Sequence, residues 1–203
     1  MKKTIHLLLT LFVAFSAALL AGCATKGPQY TLYDFGSLKT ASAPLPALAP
    51  VSISDARAPA WLDSTQMYFR LNYANDQEAR AYAISRWSMP PPQLFTQRLK
   101  ARIAQAGGTA LTASDGATNV PVLRIELDDF TQVFEAPGQN AARIGVRAAL
   151  FNGRALVAQR SFVKQLPASS ADAAGGARAL ADAGDAVIAE MMAWLATLPP
   201  TAK

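Results

Sequence analysis

The order of hydrophobic patterns along the chain predicts an α+β fold, in which a largely antiparallel sheet carries two helices packed on one face. Segments that alternate between apolar and polar residues occupy much of 30–84, and an apolar stripe with helical spacing follows over 91–106. Three longer alternating segments then cover 122–165, and a second helical stripe ends at about residue 198. Strands, a helix, a strand meander and a last helix in this order are typical of such a fold.

Four short strands are predicted before the first helix. The first is the aromatic segment 30–35, and the second is 51–54, which lies beyond a proline-rich loop. The next two, 66–71 and 79–84, are expected to form a hairpin whose polar loop covers 72–78.

The first helix is predicted to follow Pro90 and to continue to Ala106, because proline is tolerated in a first helical turn. Its apolar stripe has a spacing of four residues and consists of Phe95, Leu99 and Ile103. The rest of its circumference is populated by the polar residues Gln97, Arg98, Arg102 and Gln105. Two glycines, 107 and 108, end the helix.

The second half of the domain is predicted to be a meander and a helix. Strands cover 122–134, 142–150 and 155–165, and the Asn-Gly pair at 152–153 is a strong signal for a two-residue hairpin. Ser169 or Ser170 can cap the last helix. Its apolar stripe consists of Leu180, Val187, Met191, Trp194 and Leu198.

Two tryptophans are candidates for contact with a partner, because tryptophan is enriched at binding hot spots. Trp61 lies in a predicted turn at 59–63, and Trp87 lies beside the prolines that precede the first helix. Packing in the core at the end of a sheet is the more common role for such residues. The candidate partner-binding residues are Trp61, Leu62, Gln66, Trp87 and Pro90.

The N-terminus has the layout of a bacterial lipoprotein signal peptide. Two lysines precede roughly 15 apolar residues, fewer than the ~20 that a membrane-spanning helix needs. The segment ends in Leu20, Ala21, Gly22 and Cys23. We predict cleavage before Cys23 and lipidation of its thiol and new amine with acyl chains such as palmitate, since one chain alone anchors only marginally. The alternative is an ordinary secretory signal with a chance cysteine.

The predicted organisation is a cleaved signal peptide at 1–22, a lipidated anchor and tether at 23–29, one domain at 30–198 and a tail at 199–203. Ala24 occupies the position where an aspartate commonly retains lipoproteins at the inner membrane. We therefore expect the protein to be anchored in the outer membrane and to face the periplasm.

The mature chain is predicted to lack the side chains that most enzymes use. Its only histidine, His6, leaves with the signal peptide, and its only cysteine carries the lipid. This excludes imidazole bases, His- and Cys-dependent nucleophiles and most zinc sites. The signal also removes two lysines and no acid, so the net charge falls from +5 to +3. Without a dense basic stripe, nucleic-acid binding is not expected. We expect no enzymatic activity, no metal and no cofactor.

Four stretches of the chain resemble the ABC-type transport auxiliary lipoproteins, a family that includes the lipoprotein of the paraquat-inducible operon. They are Tyr-Thr-Leu at 30–32, Pro-Ala-Trp-Leu-Asp-Ser-Thr-Gln-Met at 59–67, Tyr-Ala-Ile-Ser-Arg-Trp-Ser-Met-Pro at 82–90, and 123–130 with the meander and long helix that follow. Ser64 stands where the family usually has arginine, and the insert after Tyr33 is longer than expected.

The resemblance implies a role in moving phospholipids between the two membranes. The expected partners are a periplasmic MCE-domain protein and its inner-membrane ABC transporter, which this lipoprotein would dock at the outer membrane. The sequence is also compatible with a homo-oligomer.

Two other functions stay open. One is support of an outer-membrane barrel, as in lipopolysaccharide assembly. The other is hydrolysis of cell-wall glycan by Glu126 and Asp128, which lie on one face of a predicted strand, as a carboxylate pair would have to. A solvated strand face, partly neutralised by Arg124 and Arg147, is the simpler interpretation of these acids.

Overall fold

The computed structural model describes residues 27–40 and 44–199, so the predicted signal peptide and Cys23 lie outside the described residues. Within these residues the chain is α+β, with eight strands in one sheet and two α-helices. The strands are β1 (Thr31–Tyr33), β2 (Val51–Ile53), β3 (Gln66–Leu71), β4 (Asn75–Trp87), β5 (Ala110–Leu111), β6 (Val122–Ala136), β7 (Gln139–Asn152) and β8 (Ala155–Pro167). The helices are α1 (Pro91–Gln105) and α2 (Ala173–Ala196).

The sheet is mixed rather than largely antiparallel. The hairpins β3–β4, β6–β7 and β7–β8 are antiparallel, as predicted. Four other pairs, β1–β4, β2–β5, β2–β6 and β3–β6, are parallel. Hydrophobic alternation shows which face of a strand is buried, but it does not show which strand lies beside it or in which direction.

Strand β6 is the centre of the sheet because one of its edges pairs with two strands in succession. Its first residues pair with β2, and its residues 132–134 pair with β3. Between them, the backbone N–H of Arg57 donates to the Ile125 carbonyl at 2.9 Å, and the Leu127 N–H donates to the Arg57 carbonyl at 2.7 Å. The chain from β2 to β3 therefore follows this edge and leaves it only at the turn around residues 59–64.

Two predicted hairpin turns are shifted. Strand β4 already begins at Asn75, so the loop after β3 is shorter than the predicted 72–78. The first residues of β4, 75–80, are exposed and mostly polar. Their composition is therefore the same as that of a loop, although they form a strand. At the second hairpin Asn152 pairs with Ala155, so the turn is Gly153-Arg154, and Gly153 has the positive φ of 58° that such a turn requires.

The core contains the apolar stripes of both helices, as predicted. Phe95, Leu99 and Ile103 of α1 are fully buried, and so are Val187 and Met191 of α2. The predicted serine cap of α2 is wrong: the N-cap is Asp172, whose carboxylate accepts the Gly175 N–H at 2.7 Å. The Ser170 hydroxyl instead donates to that carboxylate at 2.7 Å.

Two arginines on the polar side of α1 are buried, whereas Gln97 and Gln105 on that side are exposed as predicted. Arg98 and Arg102 are only 6% and 5% exposed, because the segment 35–39 and helix α2 pack over them. Asp185 of α2 lies 3.5 Å from Arg98 Nε and 2.8 Å from an Arg102 terminal nitrogen. The same guanidinium groups donate to the carbonyls of Phe35, Gly36 and Lys39. We call Arg98, Arg102 and Asp185 the arginine latch, since they fasten the N-terminal segment to the domain.

Helix α2 leaves no room for a side chain against the sheet at Gly176. A Cβ atom there would lie 2.0 Å from the side-chain oxygen of Gln132. Gln132 is buried, accepts the Tyr82 hydroxyl at 2.8 Å and donates to Asn140. Burial, reinforced by Asp172, raises the pKa of Tyr82 to about 12, so this hydroxyl stays protonated at neutral pH.

We expect Gly176→Ala to lower the free energy of unfolding by about 1–3 kcal/mol, because the methyl group must displace Gln132 from its hydrogen bonds. Urea denaturation measures this loss. Gly184→Ala in the same helix is the control, since its nearest neighbour is a ring carbon of Phe35 at 3.2 Å, and we expect a much smaller loss. Equal losses in both variants would contradict the proposed clash.

Candidate partner-binding surface

Three of the four stretches that suggested a family lie side by side in the fold. The Trp87 N–H donates to the Thr65 carbonyl at 2.7 Å, which joins the turn at 59–65 to the end of β4. The Ser88 N–H donates to the Tyr33 carbonyl at 2.8 Å, and β1 pairs with β4 in parallel. Residues separated by more than fifty positions in the sequence therefore form one region of the sheet.

The inner side of this region belongs to the core. Leu62 and Trp87 are each 1% exposed. The Trp87 ring packs edge-on against Phe130 at 5.3 Å and Phe35 at 6.3 Å between ring centroids. Pro90 is half-buried, and its carbonyl accepts the Gln93 N–H at the start of α1. These three predicted binding residues therefore lie beneath the surface of the region and support it. Their direct contact with a partner stays a prediction.

The outer side carries the other two predicted residues, Trp61 and Gln66, together with two that the sequence analysis missed. Trp61 packs edge-on against Tyr68 at 5.2 Å, and the guanidinium carbon of Arg70 lies 5.5 Å from the Trp61 ring centroid. The Tyr68 hydroxyl donates to Gln66 Oε1 at 2.7 Å. We call Trp61, Gln66, Tyr68 and Arg70 the tryptophan strip.

The composition of the tryptophan strip is typical of a binding hot spot, since tryptophan, tyrosine and arginine are the residues enriched there. Trp61 is half-buried, which holds its ring in one orientation while part of it stays accessible. Tyr68 and Arg70 follow Gln66 at intervals of two in β3, so they lie on the same face. That interval was the signal in the sequence that could have identified them.

A charged pair adjoins the strip on β6 and β7. Asp129 lies 3.2 Å from Arg143 and accepts the Thr131 hydroxyl at 2.7 Å. Burial raises the pKa of Asp129 above its usual value, and the Thr131 hydrogen bond and the nearby Arg143 and Arg70 oppose that rise only in part. The surroundings of this carboxyl group therefore favour its protonated form more than water does.

We expect Asp129→Asn to raise the melting temperature at pH 7 by a few degrees, since ~1 kcal/mol corresponds to about 2–4 °C in a domain of this size. Because the pKa of Asp129 is higher in the folded protein than in the unfolded chain, this group does not reduce the free energy of unfolding below the unfolded-state pKa of 3.8. The free energy of unfolding falls as the pH rises above that value and the group ionises. The amide cannot ionise, so the advantage of the variant should vanish below about pH 3.8 and grow above it. Thermal melts at several pH values test this, and a variant that is less stable at pH 7 would contradict it.

The two acids considered for glycan hydrolysis share one arginine. Arg147 lies 2.7 Å from Glu126 and 3.0 Å from Asp128, and all three side chains are largely exposed. The predicted neutralisation by Arg147 is therefore confirmed. Arg124 instead lies over the Phe151 ring at 4.3 Å. This is the geometry of a solvated ion pair on an open strand face.

Among the residues that the structure describes, no group of three or more His, Cys, Asp or Glu side chains is arranged to hold a metal ion. Over the same residues, neither helix combines the length and the apolar character needed to cross a bilayer.

A family model described as "ABC-type transport auxiliary lipoprotein component" matches residues 30–192, which is most of the chain. The chain belongs to this family. The match begins beside β1 and ends within α2, so it includes every strand of the sheet and the whole tryptophan strip. The family description makes these proteins lipoproteins associated with ABC transport, which agrees with the predicted anchor at Cys23.

Solved structures share the fold of this auxiliary lipoprotein. A crystal structure of a Xanthomonas campestris protein of the DUF330 family has a TM-score of 0.71 at 24% identity, and the match covers 82% of this chain and 96% of that one. A crystal structure described only as an uncharacterized protein has a TM-score of 0.62 at 14% identity, with 82% and 99% covered. No curated protein matches the chain.

Proposed function

We propose that this auxiliary lipoprotein docks a lipid transport system at the outer membrane. Cys23 anchors it in the periplasmic leaflet, and the domain binds an MCE-domain protein whose inner-membrane ABC transporter supplies the energy for moving phospholipid. The family match supports association with ABC transport, and the resemblance in sequence supports the MCE partner. The role is one of position rather than catalysis.

The tryptophan strip is the observation that carries the docking proposal. It presents an indole, a phenol and a guanidinium group that hold one another in place. Such pre-ordered side chains lose little conformational freedom on binding, which favours affinity. We place both helices on the opposite face of the sheet, so that the strip face stays available to a partner.

A groove beside the N-terminal segment of the domain supports docking rather than lipid carriage. It has a volume of about 400 Å³ and lies between residues 32–39 and α2. Aromatic and alanine side chains line part of it, but Lys39, Arg178, Asp182 and Asp185 also line it. A site for an acyl chain would be lined predominantly by apolar groups.

A photo-crosslinking residue in place of Trp61, in living cells, tests the proposal. Irradiation should join the protein to an MCE-domain protein, and mass spectrometry should also recover the ABC transporter subunits. The matched control is the same residue in place of Tyr73, which is 50% exposed near the turn between β3 and β4, outside the strip. We expect the Tyr73 product to be weak or absent.

Each other result of this experiment points elsewhere. A crosslink to an outer-membrane barrel alone would favour the assembly function and reject the MCE partner. Recovery of murein fragments, together with glycan cleavage that Glu126→Gln abolishes, would favour the hydrolase. A crosslink between two copies of this chain would place the strip in a homo-oligomer instead.

A further inference from the structure

A second exposed apolar surface lies where the chain leaves the domain towards the anchor. Leu32 of β1 is 64% exposed and is aligned with Arg86 of β4, and Ile84 of β4 is 61% exposed. Ile84 and Arg86 alternate with the buried Ser85 and Trp87, so they point away from the core. Tyr30, 46% exposed, lies under the Arg86 guanidinium at 4.4 Å. We call Tyr30, Leu32, Ile84 and Arg86 the anchor-side patch.

This patch cannot move far from the predicted lipid. Cys23 is seven residues before Tyr30, and seven fully extended residues span at most about 24 Å. The arginine latch holds the carbonyls of residues 35, 36 and 39, so the chain cannot lengthen the tether by peeling away from α1. The part of the domain nearest the acyl chains is therefore the start of β1 and its neighbour β4.

The chemistry of the patch fits the surface of a phospholipid leaflet. Tyrosine is enriched where one end of a side chain is in an apolar region and the other is in water. Arginine can bury its stem beside apolar groups while its charged end reaches phosphates. Lys26 adds a second positive charge, and residues 23–33 contain no acid to oppose it. Basic residues beside an anchor are attracted to anionic lipids.

We infer that the anchor-side patch rests in the headgroup region of the phospholipid leaflet that holds the acyl anchor. Leu32 and Ile84 enter the boundary between headgroups and acyl chains. One terminal nitrogen of Arg86 donates to the Tyr82 and Ser85 carbonyls, and the other N–H groups of the guanidinium contact lipid phosphate. This inference rests on the lipidation of Cys23 that the proposed function includes. It gives the domain a fixed orientation on the membrane, in which the tryptophan strip, adjoining the patch through the aligned Gln66 and Arg86, lies close to the lipid surface.

Site-specific fluorescence tests the orientation on the full-length protein, processed in cells and reconstituted into phosphatidylethanolamine–phosphatidylglycerol vesicles. Leu32→Cys and Ile84→Cys are each labelled with an environment-sensitive dye, since lipidation occupies the thiol of the only native cysteine. The control is Val163→Cys, because Val163 is 67% exposed on β8, at the other end of the sheet. Mass spectrometry of the Cys23 peptide verifies the lipid on the same preparation.

We expect the dye at 32 and at 84 to shift its emission to the blue and to be quenched by spin-labelled lipid, while the dye at 163 reports water. Arg86→Gln should weaken the quenching at 32 and 84. A lipidated protein whose labels at 32 and 84 stay in water would overturn the inference and leave the docking function intact. So would labels that become protected only when the MCE-domain protein is added, because the patch would then bind protein. Absence of lipid on Cys23 would overturn the inference and the proposed anchoring together.

Discussion

Replacing Asp185 with alanine should lower the free energy of unfolding by about 3 kcal/mol, the lower end of the range for breaking a buried ion pair. Asp185 pairs with two buried arginines, as no other acid does in the part of the chain that the structure describes, and its side chain is 22% exposed. Its removal leaves Arg98 and Arg102 buried without a counter-charge, and some water can reach the site to moderate the cost. Urea denaturation followed by circular dichroism measures the loss.

Asp182→Ala is the matched control, one turn earlier in α2. Asp182 pairs with Lys39 at 3.8 Å, but both side chains are mostly exposed, so the pair contributes about 0–1 kcal/mol at most. We also expect faster hydrogen exchange at residues 35–39 in Asp185→Ala. The carbonyl groups of this segment accept hydrogen bonds from the two arginines that Asp185 holds in place. Losses of equal size in the two variants would mean that the latch does not stabilise the domain.

The arginine latch also shows where prediction from the sequence stops. The spacing of Phe95, Leu99 and Ile103 identified the buried side of α1, because a helix repeats every 3.6 residues whatever surrounds it. The same spacing placed Arg98 and Arg102 on the polar side. Their partner, Asp185, is more than eighty residues away in the sequence, and no local pattern records that contact.

The sheet and the candidate site also contain features that the sequence predicts and features that it does not. The long strands β6, β7 and β8 follow from alternation, and the turn with Trp61 follows from its proline and polar residues. The parallel pairing of β2 and β3 with β6 does not follow from any local pattern, because it depends on how the segment 51–71 lies along a strand that is distant in the sequence. Trp61 could be chosen as a binding residue by type alone, whereas Asp129 acquires its environment only when β6 and β7 meet.

The two tryptophans of the candidate region should give opposite results when each is replaced by alanine. Trp87→Ala should lower the free energy of unfolding by about 3–5 kcal/mol, as expected for removing a buried aromatic side chain. Trp87 is 1% exposed and contacts both Phe35 and Phe130, so the cavity has no simple way to collapse. Trp61→Ala should cost much less stability, because that ring is only partly buried and packs on Tyr68 at the edge of the core.

Affinity for the partner should show the reverse order, with a larger loss in Trp61→Ala than in Trp87→Ala. If Trp61 is a hot spot for the MCE-domain protein, its removal should cost at least about 2 kcal/mol of binding free energy, roughly a thirtyfold loss of affinity. Affinity measured by calorimetry, at a temperature where each variant is folded, separates this effect from instability. Tyr73→Ala is the control for loss of an exposed aromatic side chain. Unchanged affinity in Trp61→Ala would reject the strip as the docking surface, since Trp61 is its central member: Tyr68 packs against the Trp61 ring, and the Arg70 guanidinium lies over it.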